Sequence, residues 1–329
     1  MKMFSAPAAL TPSAWVLAAV SLGVNLAGTG VVSGQEYPNK TVRILAAGAG
    51  SGGDFTARLL APGLAQGLGQ TVIVDNRPGS LPASDAASKS PPDGYTLLVN
   101  GASLWVIPLV QKVPYDVVRD FAPISLVERG ILTVAVHPSL PVKSIKDLIA
   151  LAKAKPGQLN YASGAPGGPT HLAMELLKSM AGVNIVGVPY KGTTPAVTAL
   201  ITGEVQLTVV DAFLVTPHAK SGKMRALAIT SPEPSALAPG LPTVAAAGFP
   251  GYEATPMTGI LAPAKTPAAI INRLNQEVVR VLNRPEVKER FFNTGVEIIG
   301  STPEQFASTL KSEIAKASKI ISDAGIKAD

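Results

Sequence analysis

The stretch Gly48-Ala49-Gly50-Ser51-Gly52-Gly53-Asp54 places Gly48, Gly50 and Gly53 on the spacing G-x-G-x-x-G. Before it, Thr41–Ala46 reads as a strand. After it, Asp54–Leu68 reads as a helix, with Phe55, Leu59, Leu60 and Leu64 on its apolar positions. A glycine-rich turn that enters a helix leaves main-chain N–H groups without intrahelical acceptors, at the positive end of the helix dipole. Any anion suits such a place, pyrophosphate or carboxylate alike. Glycine keeps the approach clear of Cβ atoms. Asp75 follows at about the distance at which a dinucleotide fold sets an acid for the ribose. The turn therefore has two readings, a nicotinamide cofactor or a smaller anion. A second turn of the same texture, Ser163 to Pro169, lies between a strand at Leu159–Ala162 and a helix at Thr170–Ala181.

Other chemistry is sparse. His137, His171 and His218 form neither H-E-x-x-H nor another metal spacing, so no metal site is expected. No G-x-S-x-G elbow is present. The chain has no cysteine, which excludes disulfides, thiolate nucleophiles and Cys-ligated zinc. These searches favour a binding protein without a cofactor over an enzyme. The rival is an NAD-dependent oxidoreductase using the Gly48–Gly53 turn, with Asp75 on the ribose. Asp75 reads equally well as part of a strand-ending turn, Asp75-Asn76-Arg77-Pro78-Gly79.

The first 34 residues speak to location. Lys2 precedes an apolar segment, Trp15 to Ala27, and small residues lead to Val32-Ser33-Gly34. This is the pattern of a secretory signal peptide, cut between Gly34 and Gln35. The apolar segment is short for a membrane span and lacks a charged flank. An exported protein is expected, outside the cytoplasm, where free dinucleotide is scarce.

The chain of 329 residues is long enough for two medium domains. It is 47% hydrophobic and 15% charged, with 31 Gly and 29 Pro, a composition of compact structure with many tight turns. The net charge is +6, but Lys and Arg are spread along the chain and aromatic residues are only 5%. That leaves no basic cluster and little base-stacking surface, so nucleic acid is not an expected partner.

Strand and helix alternate. Thr71–Val74 and Tyr95–Val99 continue the first series of strands; Leu132–Val136, Asn184–Val188, Val205–Val210 and Met224–Thr230 belong to a second. Such units give parallel sheet covered by helices. A return strand at Thr258–Ala262 precedes two helical stretches, Pro267–Leu282 and Pro303–Ser322, which suggests that the chain comes back to its first domain. The expected organisation is a signal peptide at 1–34, a discontinuous first lobe at 35–133 and 253–329, and a second lobe at 134–252.

A run of short motifs then carries a family likeness. They include Tyr37-Pro-Asn-Lys-Thr-Val-Arg43, the glycine turn with Asp54-x-x-Ala57-Arg58, Asp75-Asn-Arg-Pro-Gly79 and Pro92-Asp-Gly-Tyr-Thr96. Pro114-Tyr-Asp116, Asp120-Phe-Ala-Pro123, Asn160-Tyr-Ala-Ser163, Thr170-His-Leu172, Val188-Pro-Tyr-Lys-Gly192 and Lys223-Met-Arg-Ala-Leu227 follow in order. The chain resembles the Bug (TctC-like) family of periplasmic solute-binding receptors of tripartite tricarboxylate transporters. The resemblance implies an α/β, two-lobed type II periplasmic binding protein, a Venus flytrap with a mixed, mainly parallel sheet in each lobe. It also implies a small carboxylic acid in the cleft, a membrane permease as partner, and a monomer.

Carried onto this sequence, the resemblance gives one anion loop at Gly48, Gly50, Ser51, Gly52, Gly53 and Asp54. It gives a second at Ser163, Gly164, Gly168, Thr170 and His171, with Tyr190 and Asp211 nearby. Ser103 and Trp105 join them; Trp105 reads either as a stacking surface for an aromatic acid or as core. Asp54 also reads as a helix cap, and Ser163 and Thr170 as turn and cap residues. Arg43 and Arg58 read as surface or fold-stabilising residues. Asp211 is a carboxylate in an anion receptor, so it orders water, accepts a bond from an amino or hydroxyl group, or is protonated or paired. The first loop is shorter than is common in the family and lacks its prolines. Gly187 and Ala212 stand where the family often has His and Asn. These changes tilt the ligand from dicarboxylates and amino acids toward a monocarboxylate or aromatic acid.

Overall fold

In a computed structural model of the chain, the described residues are 37–164, 168–190, 192–323 and 325. The expected signal peptide lies outside them. In chain order the elements begin with β1 (Val42–Ala46), α1 (Gly52–Leu68), β2 (Val72–Asn76), α2 (Ser80–Ser88), β3 (Thr96–Gly101) and α3 (Ser103–Val110). There follow β4 (Phe121–Gly130), β5 (Leu132–Val136), α4 (Ile145–Ala154), β6 (Asn160–Ser163), α5 (Pro169–Ala181), β7 (Val186–Pro189) and α6 (Thr193–Ile201). The remainder are β8 (Leu207–Asp211), α7 (Ala212–Lys220), β9 (Arg225–Ile229), β10 (Met257–Pro263), α8 (Ala268–Leu282), α9 (Pro285–Asn293), β11 (Val296–Ile298) and α10 (Pro303–Asp323).

The strands form two sheets. One has the order β11-β4-β10-β3-β1-β2, the other β7-β6-β8-β5-β9. Both are mixed, as expected, but less parallel than expected. Four of the nine strand pairings among the described residues are parallel, β1 with β2 and β3, and β6 with β7 and β8. The other five involve β4, β5, β9, β10 and β11. These are the strands at and next to the places where the chain passes from one sheet to the other.

Each sheet is covered on both faces. α1, α8 and α9 pack on one face of the first sheet through Leu60, Leu64, Leu274, Val278 and Phe291. α3 and α10 pack on the other through Trp105, Phe306 and Leu310. On the second sheet, α4 and α5 contribute Leu148, Met174 and Leu177 to one cluster, and α6 contributes Val197 and Leu200 to the opposite one. A sheet buried on both sides needs strands apolar at nearly every position, and β5, Leu-Thr-Val-Ala-Val, is buried throughout.

The chain passes between the sheets twice. It leaves β4 through Ile131 into β5, and returns between β9 and β10. The two crossings are bonded to each other. Gly130 N donates to Pro256 O at 2.7 Å and Thr230 N to Leu132 O at 3.0 Å, and within the return segment Ala254 N donates to Thr230 O at 3.1 Å.

The halves share a plan. β1-α1-β2-α2-β3-α3 has the sheet order β3-β1-β2, and β6-α5-β7-α6-β8-α7 has the order β8-β6-β7. The correspondence reaches the caps. Gly79 before α2 has φ 116° and ψ 169°, and Gly192 before α6 has φ 110° and ψ 175°.

Candidate functional site

Parallel strands followed by helices put every helix N-terminus at the carboxyl edge of the sheet, where open α/β sheets bind ligands. Here α1, α2 and α3 start at the edge of the first sheet, and α5, α6 and α7 at the edge of the second. The first turns of α3 and α5 are opposed. Ala102, Trp105, Pro169 and Leu172 line one cavity of about 60 Å³ with Glu253–Pro256 and α10. The two edges are thus lined with the positive ends of six helices.

The first loop is braced by its own acid. Ser51 caps α1, its Oγ accepting from Asp54 N at 3.2 Å. Asp54 Oδ2 accepts from Gly50 N at 2.9 Å, and Gly50 has φ +82°, a left-handed turn that suits glycine. Asp54 Oδ1 accepts from Asn76 Nδ2 and Arg58 Nε, both at 2.8 Å. Asn76 also donates to Ala47 O at 2.8 Å. Burial pushes the Asp54 carboxyl up, but the bonds from Gly50, Asn76 and Arg58 outweigh it and hold it below the ordinary carboxylate value. Asp54 and Arg58 are therefore spent inside the loop. What the loop presents is main chain. The N–H groups of Gly52 and Gly53 have no acceptor within the helix. A Cβ on Gly50 or Gly52 would meet nothing within 4 Å, so the space beside them is open. A Cβ on Gly53 would sit 3.3 Å from Val99 O, which is how closely α1 approaches β3. Gly48 accepts the turn bond from Ser51 N at 3.0 Å.

The second loop repeats this with a hydroxyl. Thr170 Oγ1 accepts from Gly164 N at 3.1 Å, and Gly168 caps α5 with Pro169 at its first position. Ser163 ends β6, is buried, and donates to Gly164 O at 3.2 Å. Tyr190 N binds Ser163 O at 2.9 Å. The Tyr190 ring packs against the Ala162, Ala196 and Leu200 cluster, and its hydroxyl is buried. Asp211 ends β8 and precedes α7 without capping it. Burial raises its pKa, and among the described residues its carboxyl has no partner beyond its own main chain.

Two of the expected residues, His171 and Trp105, are packed among other side chains. His171 stacks on the Tyr161 ring, centroids 6.4 Å apart, with Nε2 3.8 Å from Glu175 Oε1. Glu175 also accepts from the Tyr161 hydroxyl and Lys178 Nζ, each at 2.6 Å. Burial lowers the His171 pKa, which favours the neutral ring. His171 belongs to this packed cluster. Trp105 is only 4% exposed and packs in the core beside Leu172, and it also lines the cavity between the first turns of α3 and α5. Ser103 opens α3 at the carboxyl edge and is half-buried. Gly187 faces Tyr161, where a Cβ would come within 2.9 Å of the hydroxyl, so close packing accounts for this glycine. Asp75, the acid of the dinucleotide reading, is paired with Arg77 at 2.9 Å and Arg43 at 3.7 Å.

One buried acid escapes a reading by motif. Glu128, on β4, is 6% exposed and reaches Thr56 in the first turns of α1. Its only sequence signal is a lone carboxylate in the run Ile124-Ser-Leu-Val-Glu-Arg-Gly-Ile-Leu132.

The family model described as "Tripartite tricarboxylate transporter family receptor" matches residues 56–326. The chain belongs to this family. The receptor is 35% identical over 315 residues to protein BugT of Bordetella pertussis (strain Tohama I), covering 93% of this chain and 97% of BugT. Among solved structures it is similar to R. palustris Rpa4515 with adipate, at 32% identity and TM-score 0.74, covering 89% of this chain and 100% of that one. It is also similar to MatC (Rpa3494) from Rhodopseudomonas palustris with bound malate, at 28% identity and TM-score 0.70, covering 87% of this chain and 100% of MatC. The family is one of solute-binding receptors with the two-lobed fold.

Proposed function

We propose that the protein is a periplasmic receptor that holds a small carboxylate between its lobes and delivers it to the permease of a tripartite tricarboxylate transporter. The observation that carries this reading is the pair of opposed sheet edges lined by helix N-termini. On the first, Gly50 and Gly52 have open space on their Cβ side while the nearest acid, Asp54, is consumed by the loop. The lobe limits are 35–133 with 253–329, and 134–252, meeting at the two bonded crossings. One ligand carboxylate takes the amides of the Gly48–Gly53 loop, and the Ser163–Thr170 loop closes on it. Asp211, charged or protonated but unpaired, meets a hydroxyl, amino group or water on the ligand. The adipate and malate of the relatives' structures support a dicarboxylate.

Ligand bound only by the native state stabilises it by RT ln(1 + [L]/Kd), about 2.7 kcal/mol at a hundredfold excess over Kd. A thermal-shift screen of residues 35–329 against adipate, malate, other carboxylates and NAD tests the reading. A rise in Tm with a carboxylate supports it. A rise with NAD alone overturns it and returns the glycine turn to a dinucleotide.

A further inference from the structure

Glu128 stands directly behind the first anion loop. The Thr56 hydroxyl lies 3.0 Å from Glu128 Oε1 and 3.0 Å from Gly52 O. A hydroxyl has one proton, so Thr56 donates to only one of these two oxygens at a time. Both contacts become hydrogen bonds when Glu128 is protonated. Its O–H then donates to Thr56 Oγ1, and Thr56 donates to Gly52 O. Among the described residues, Glu128 Oε2 is buried with no partner at hydrogen-bonding distance, a costly arrangement for a charged carboxylate and a tolerable one for a neutral acid.

The groups that face Glu128 are neutral. Thr56 comes from α1, and Thr258 lies opposite it on β10. On β11 its register partner is Ile298. Charged side chains on the elements packed against β4 have other partners: on α8 Glu277 pairs with Arg273 and Arg280, and on α10 Lys316 pairs with Glu313 and Glu253. Asp54 is held by Gly50, Asn76 and Arg58, and Arg129 pairs with Glu297 at 3.7 Å. Burial, only partly relieved by Thr258 and Thr56, pushes the Glu128 pKa up to about 7.

We infer that Glu128 is a positioning residue whose protonation state sets the anion affinity of the Gly48–Gly53 loop through Thr56 and Gly52, so that carboxylate capture is linked to proton uptake. A neutral Glu128 leaves the positive end of α1 to the ligand. An ionised Glu128 competes for the same helix terminus and draws the Thr56 proton away from Gly52. The inference deepens the proposed function and rests on it for the ligand; the coupling of Glu128 to the loop stands without one.

The test has two arms on the mature chain and its Glu128→Gln and Thr56→Val variants. In the first arm, amide spectra are recorded from pH 5.5 to 8.5 without ligand. The Gly52 and Gly53 resonances of the wild type should titrate with a midpoint near the Glu128 pKa of about 7. They should stay flat in Glu128→Gln, where Gln keeps the shape and a donor but cannot ionise. They should also lose that midpoint in Thr56→Val, which cuts the relay. In the second arm, adipate and malate affinities are measured by calorimetry across the same range. The wild-type Kd should rise about threefold or more between pH 6 and pH 8, and that of Glu128→Gln should not. Flat loop resonances in the wild type, or identical pH profiles in wild type and Glu128→Gln, overturn the inference. Titrating loop resonances with no carboxylate binding at any pH uphold the coupling and overturn the proposed function instead.

Discussion

In the proposed reading, Asp54 serves the anion site without touching the anion. Its two oxygens take three donors, and two of these, Gly50 N and Asn76 Nδ2, fix the loop on either side of the open amides. Replacing Asp54 with Ala should release Gly50 and leave Arg58 and Asn76 without their acceptor. The expected cost is about 1–2 kcal/mol of stability, read by urea denaturation, with at least a tenfold weaker carboxylate affinity by calorimetry. A direct ligand role would instead weaken binding with stability unchanged. Glu128 makes a second prediction, in stability. Its pKa is raised from 4.5 in the unfolded chain to about 7 in the fold, so the native state holds its proton more tightly. That contribution is fully present below pH 4.5 and is lost as the pH rises through 7. Glu128→Gln should therefore match the wild type at pH 4 and exceed it at pH 8, by on the order of 3 kcal/mol. Equal denaturation midpoints at pH 8 would refute this. The glycine turn and Asp54 were legible in sequence because turn chemistry is local. Glu128 was not, because its partner Thr56 is 72 residues away.

At the scale of elements, α1 owes its seat to two glycines one turn apart. A Cβ on Gly63 would come within 2.5 Å of Val281 on α8, and one on Gly67 would strike the Glu277 carboxylate. Arg280 and Arg273 use the close approach to donate to Gly63 O at 2.9 Å and Gly67 O at 3.0 Å. Gly63→Ala should raise helix propensity and yet destabilise the protein by about 1–3 kcal/mol through overpacking, measurable as a lower urea midpoint. A gain in stability would show that α8 yields easily. The strands and helices with plain periodicity, β1, α1, α5 and α8 among them, were legible. β4 was not, because its burial pattern does not alternate and it carries Pro123, Glu128 and Arg129. α3 was missed because Ser103–Val110 is apolar on all sides and contains Pro108. Its helix is imposed by the core around Trp105 and Leu104, not by local preference.

For the whole molecule, the bonded crossings are the natural hinge, and other contacts join the halves around it. Leu172 of α5 packs into the cluster formed by Trp105 and by Phe306 of α10. Ser235, from the stretch after β9, donates to Glu297 on β11. If closure brings the two loops together, the radius of gyration from solution scattering should fall when the carboxylate found by thermal shift is added. It should stay constant in a variant that no longer binds. An unchanged radius with full binding would mean that the ligand enters a cleft already closed. The doubled plan of the halves was legible as a recurring strand–turn–helix device. The mixed character of the sheets was underestimated, because antiparallel pairing through β4, β10 and β11 joins segments far apart in sequence and leaves no local mark.

The position of β10 has a consequence for how the chain is made. β10 lies between β3 and β4 in the first sheet, yet it is the tenth strand in sequence. The second sheet is continuous, from Leu132 to Ile229. A nascent chain that has not yet reached Met257 can therefore complete its later half while the earlier half stays split, β3 and β4 lacking the strand that joins them. Synthesis from the amino terminus thus delivers the first residues made as the last to be locked in place.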